Sequence, residues 1–145
     1  MGLDMYLEKR IYVGANYKHN NVTGRISLKR GDKKIKVKLN KVSTIIEEVG
    51  YWRKCNAVHK WFVDNVQNGI DDCRDYYVSY DNLETLGNLC KRVVKEKNPE
   101  LLPSSSGWLF GSTEYDEWYY KDLKYTSNLI DKLNKESDYS YNSSW

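Results

Sequence analysis

The sequence predicts an α+β fold in which an antiparallel sheet carries about three helices on one face. Three observations predict it. The N-terminal third alternates apolar and polar residues with a period of two, as strands with one buried face do. From residue 42 the apolar spacing changes to steps of three and four, as in amphipathic helices. The chain has 145 residues, of which 40% are hydrophobic, which suits one modest core. The expected organisation is a single domain over residues 1–136 with a frayed C-terminal tail, 137–145.

In chain order, Leu3, Met5, Leu7, Ile11 and Val13 fall at odd positions and form a first strand. A polar loop follows over 16–21. Val22, Gly24, Ile26 and Leu28 alternate with Thr23, Arg25, Ser27 and Lys29. Beyond Gly31-Asp32, Ile35, Val37 and Leu39 alternate with Lys34, Lys36 and Lys38. Two alternating runs about a glycine-containing turn make a hairpin, with Ile35, Val37 and Leu39 on its buried face. Val42, Ile45, Ile46 and Val49, then Trp52, Cys55, His59, Phe62 and Val66, have helical spacing interrupted at Gly50. Residues 42–68 therefore read as one kinked helix or two short ones, ending at Asn68-Gly69. Asp75 to Val78 fits a short strand. Ser79 caps a helix whose inward stripe is Leu83, Leu86, Leu89, Cys90, Val93 and Val94, and which stops before Pro99. Trp108-Leu109-Phe110 is a short strand or tight turn closed by Gly111. Ser112 or Thr113 then caps a last helix that runs to about residue 134.

Composition excludes several classes. Lys and Arg number 23 against 20 Asp and Glu, a net charge of +3. That is too small to establish a nucleic-acid partner and too positive for a DNA mimic. Apolar runs are only a few residues long, far short of the ~20 that cross a bilayer, so no membrane partner is expected. The first residues read as neither a signal peptide nor a myristoylation site, because Asp4 brings an early charge and Tyr6 stands where Ser or Thr belongs. The odd set Cys55, Cys73 and Cys90 reads as reduced cytosolic thiols. The 13 Tyr and 5 Trp against 2 Phe suit wet pockets and interfaces, since each such ring also carries a hydrogen-bonding group.

Three segments could carry chemistry. Residues 25–41 hold eight basic residues against the single acid Asp32, a strip suited to a phosphate backbone. Lys34, Lys36 and Lys38 are the candidate nucleic-acid contacts. The competing reading, a solvated strand face whose lysines deter aggregation, is preferred because no aromatic alternates with them. In the second segment, Arg53, Asn56 and Lys60 fall at i, i+3 and i+7 on one predicted helix, with His59 beside them. Arg53 offers a fork for a phosphate or carboxylate, and His59 a donor or base. Cys55 and His59 at i, i+4 could pair, but a buried thiol and a satisfied core-edge imidazole are the plainer reading. The third segment runs from Ser104 through Trp108 to Tyr120. It offers Trp108, Glu114, Tyr115 and Asp116 as contacts, against the plainer reading of acids that favour the start of a helix. There is no Walker motif, G-x-S-x-G, paired His ligands or G-x-G-x-x-G, so no catalytic residue, metal or cofactor is assigned.

The stretches Met1 to Leu7, Tyr51 to Phe62 and Ser106 to Glu117, in that order, resemble a family of small proteins encoded by tailed bacteriophages and prophages. The resemblance spans nearly the whole chain. It implies viral origin and a bacterial cytoplasm, and it brings no settled activity with it. In that family the position of Cys55 is often Ala, which argues against a nucleophilic thiol there. By association with such proteins, the leading expectation is an accessory protein that binds and disables a host component, a bacterial protein or a small nucleotide-type ligand. Counter-defence, as in anti-CRISPR activity or sequestration of a nucleotide signal, is one such role. Its surface would combine Arg53, Asn56 and His59 with the loop around Trp108 to Tyr115, converging in space with the N-terminal strand. One alternative is a small enzyme acting on a phosphate- or sugar-containing ligand, with His59 and Glu114 or Asp116 carrying protons. The other is a nucleic-acid-binding module that uses the lysine hairpin.

Overall fold

The structure is a computed structural model that describes residues 2–20, 22–107 and 109–145. Its element order is β1 (Asp4–Tyr12), β2 (Leu28–Arg30), β3 (Lys33–Ile35), β4 (Thr44–Arg53), α1 (Asn56–Asn65), β5 (Tyr76–Val78), α2 (Tyr80–Glu96), α3 (Glu117–Asp131) and β6 (Asp138–Ser144). Four strands form an antiparallel sheet in the order β4-β1-β6-β5, and β2 and β3 form a separate two-stranded ribbon. The α+β class expected from the sequence is the class observed.

Period-two patterning explains β1, where Leu3, Met5 and Leu7 are fully buried while Asp4 and Tyr6 are only partly covered. The same face of β4 carries Gly50 and Trp52. Trp52 packs edge-on against Phe62 of α1 and Tyr125 of α3, and its indole donates to Thr126 Oγ1 at 2.8 Å. A Cβ on Gly50 would lie 2.5 Å from the Leu129 side chain, so this glycine lets α3 sit directly on the sheet. Tyr141 of β6 stacks on Phe62 with ring centroids 3.9 Å apart. Packing of α2 on α3 completes the helical layer, with Ile130 seated against Gly87.

Four expectations are corrected. Residues 44–53 form strand β4, not helix, and only Asn56–Asn65 is helical. The run Thr44, Ile45, Ile46 is β-branched, and both isoleucines are exposed, so their spacing marks no buried helical face. Strand propensity and pairing with β1 decide this stretch. The hairpin is real but short, with Leu28 opposite Ile35, Lys29 opposite Lys34 and Arg30 opposite Lys33 about Gly31-Asp32. Ile35, Val37 and Leu39 on its expected buried face are only half-buried, and the chain leaves the ribbon after Ile35. The last helix is capped by Asp116, whose carboxylate accepts from Tyr119 N at 3.1 Å, and not by Ser112 or Thr113. The C-terminus is not frayed, since β6 is an interior strand with Tyr139 and Tyr141 buried.

Other elements stand where the sequence places them. β5 falls within 75–78, and Ser79 caps α2 by accepting from Asn82 N at 3.1 Å. Where the sequence predicts one domain over 1–136, the chain divides into two compact units, residues 1–9 with 48–145, and residues 10–47. The sheet core belongs to the first. Among the described residues of the second, Val13 is the only buried one.

Candidate functional site

Three chain segments meet at the start of α1. The backbone N–H of Leu3 donates to Leu109 O at 3.1 Å, and that of Lys54 donates to Leu3 O at 2.7 Å. Asn56 closes the junction. Its buried amide donates to Phe110 O at 3.1 Å and to Ser112 O at 2.8 Å, and its Oδ1 accepts from Ser105 N at 3.0 Å. Lys54 turns the chain from β4 into α1 with φ at +57°, a conformation that costs a non-glycine residue about 1 kcal/mol or more. Gly111, at φ +88°, fits against it so closely that a Cβ there would lie 2.9 Å from the Lys54 Cβ. The stretches around Gly2, Arg53 and Gly111 are thus brought together, as the sequence predicts.

Beside this junction lies a cleft of about 290 Å³ whose walls include Arg53, Lys54, Cys55, Ser112, Glu114, Asp116, Trp118 and Asp122. Two cations stand on the strand-to-helix corner, and three carboxylates stand on the loop and on α3. Arg53 is mostly exposed and lies 4.0 Å from Asp4, a weak surface pairing. Burial and the neighbouring Asp122 push the Cys55 thiol well above its ordinary pKa. Burial raises the Asp122 carboxyl, a hydrogen bond from the Cys55 thiol pulls it back, and Asp116 adds to the rise. Cys55 is therefore a protonated thiol at neutral pH and a poor nucleophile, since attack needs the thiolate.

Arg53, Asn56, Glu114 and Asp116 from the sequence-predicted set line the cleft. Arg53 does so from β4, so its helical stripe with Asn56 and Lys60 does not exist. Asn56 has both ends of its amide engaged within the protein and acts as a brace. Tyr115 is not among the lining residues; its phenol accepts at 3.3 Å from the N–H of Ser104, which is. Trp108 lies outside the described residues. His59 is not part of the cleft. It is 1% exposed, with Nδ1 2.7 Å from the Tyr141 hydroxyl and Nε2 3.0 Å from Asp71 Oδ1. Burial lowers its pKa, and Asp71 opposes that shift. Neutral His59 accepts from Tyr141 and donates to Asp71, which ties α1 to β6. Cys55 is buried and does not pair with His59, so the plainer reading of a buried thiol and a satisfied imidazole is the one observed.

Sequence reasoning missed Lys54, Trp118 and Asp122. Trp118 and Asp122 are spaced i, i+4 on α3, and that shared face was visible within the helix the sequence predicts. Trp118 is 70% exposed, and Lys121 Nζ lies 4.7 Å from its ring centroid. Lys34, Lys36 and Lys38 are exposed and lie in the second unit. That unit also holds a hollow of about 770 Å³ lined by Tyr17, Lys18, Asn20, Leu39 and Asn40 among others, which has one cation and no acid. Among the described residues, no cluster of His, Cys, Asp or Glu could hold a metal ion, and no helix is long and apolar enough to cross a membrane. In comparisons with protein-family models, curated proteins and solved structures, nothing matches this chain.

Proposed function

We propose that the chain is a phage-encoded accessory protein that works in the host bacterial cytoplasm by binding and disabling a host protein through the cleft beside α1. The observation that carries this reading is a cleft lined by two cations of the strand-to-helix corner and three carboxylates of the loop and α3, with the exposed indole of Trp118 in its lining. Exposed tryptophans ringed by charge are frequent anchors of protein interfaces. Glu114, Asp116 and Asp122 in the lining disfavour a polyphosphate, so a protein surface carrying both charge signs fits better than a nucleotide. The thiol on the wall is held protonated and His59 is buried elsewhere, which favours binding over nucleophilic chemistry. Disabling a component of host immunity is the counter-defence form of the same reading.

The test is affinity purification from bacteria of the wild type and of Trp118→Ala and Arg53→Glu. The wild type should bring down one host protein in stoichiometric amount, and both variants should lose it with unchanged thermal midpoints. The same partner retained by both variants, or a nucleotide in the wild type by native mass spectrometry, would overturn the reading.

A further inference from the structure

The charge of this chain is unevenly placed. Residues 10–47, the second compact unit, hold ten Lys and Arg against two acids, Asp32 and Glu47, a net of +8. The whole chain carries +3, so all other residues sum to −5. The modest total hides a strongly cationic unit.

Within it the ribbon places like charges directly opposite one another, Lys29 against Lys34 and Arg30 against Lys33. Like charges facing across a strand pair are destabilising, and a natural edge needs only occasional lysines to stay soluble. Neighbouring pairs point to opposite faces of the ribbon, so both faces are cationic up to the Gly31-Asp32 turn. All four side chains are exposed, and among the described residues none of them forms an ion pair. Beyond β3, a groove of about 400 Å³ is lined by Lys36, Lys38 and Lys41.

We infer that β2–β3 is a duplex-DNA-binding ribbon that enters the major groove, with Lys36, Lys38 and Lys41 on flanking phosphates. A two-stranded ribbon with cations on both faces meets phosphates on both walls of a groove, whereas a flat anionic surface would meet one face only. The major groove of B-form DNA, ~12 Å wide and ~8.5 Å deep, admits such a ribbon, while the deep, narrow major groove of A-form RNA does not. No aromatic stands in the ribbon, so single strands gain no stacking platform. Bound phosphates would also relieve the repulsion between the facing pairs. This site is independent of the cleft beside α1.

The test is fluorescence anisotropy of the full chain against a 24-base-pair DNA duplex, the RNA duplex of the same sequence, single-stranded DNA and vesicles containing anionic lipid, over a salt series. The DNA duplex should bind tightest. Lys34→Glu/Lys36→Glu/Lys38→Glu should abolish its binding or reduce the log–log salt slope by about 2.7, near 0.9 for each phosphate left without its lysine. Lys34→Glu has a second readout, because it turns the pair with Lys29 into an attraction. Its thermal midpoint should rise while its affinity for the duplex falls about tenfold or more at 0.1 M salt. If the triple variant does not fold, Lys34→Glu decides. Equal binding by variant and wild type, no binding to duplex DNA at low salt, or binding to RNA duplex, single strands or vesicles as tight as to duplex DNA would each overturn the inference.

Discussion

Asn56 shows how one side chain can hold a site together without belonging to its binding groups. Its amide satisfies two loop carbonyls and one loop N–H at 2.8 to 3.1 Å. Removing a partner from a buried hydrogen bond costs more than the bond itself contributes, ~1–3 kcal/mol for each group left unpaired. Asn56→Ala should therefore lower stability by about 3 kcal/mol in urea unfolding, and Asn56→Asp, which keeps one acceptor but loses the donors, should not restore it. His59 makes a different prediction. Its folded pKa lies below the ordinary 6.5 because burial disfavours the imidazolium. The unfolded chain therefore takes up the proton first as pH falls. The stability tied to neutral His59 is complete above pH 6.5 and is lost as pH drops below it towards the folded value. The thermal midpoint should decline from pH 7 to 5.5, and His59→Gln should flatten that decline.

At the scale of elements, the last strand matters most to the fold. β6 lies between β1 and β5, pairs Tyr139 with Val78 and Tyr141 with Tyr76, and lays Tyr141 on Phe62. Deleting residues 137–145 would expose the edges of two strands and remove two buried tyrosines from the core, each worth several kcal/mol. The truncated chain should show no cooperative thermal transition by circular dichroism. Local sequence could not announce β6, because Asp138-Tyr139-Ser140-Tyr141-Asn142-Ser143-Ser144 reads as a polar tail until β1 and β5 pair with its two edges and the Tyr139, Tyr141 and Ser143 face is buried. β4 misleads in the opposite way, since its two exposed isoleucines imitate a helical stripe. β1, α2 and the ribbon turn were legible because their patterns are local, with apolar residues alternating over Leu3, Met5 and Leu7, a serine cap before an apolar stripe, and a glycine turn between alternating runs.

At the scale of the molecule, the two units differ in how they are held. Residues 1–9 and 48–145 share a core of fully buried Leu3, Met5, Leu7, Val58, Phe62, Leu83 and Leu86 among others. Residues 10–47 bury only Val13 among those described. A unit with so little buried apolar surface opens locally at low energy, and this one is also dense in lysine and arginine. Trypsin at low ratio should cut first within residues 18–41 and leave the remainder resistant, as mass spectrometry of the early fragments would show. Protection of those sites on adding duplex DNA is expected from the ribbon's assignment.

The sequence by itself determined the α+β class, the buried face of β1, the cap and stripe of α2, and the cationic character of residues 25–41. All of these follow from period, capping chemistry or charge within a short window. Arg53, Glu114 and Asp116, grouped together from the sequence, line one cleft. Only the tertiary structure decided that residues 44–53 are a strand, that the C-terminal residues are an interior strand, that His59 is bound to Tyr141 and Asp71 away from the cleft, and that Asp122 lines the same cleft as Cys55. Each of those outcomes depends on a partner distant in the chain, and pairing energy between distant segments leaves no periodicity in either of them.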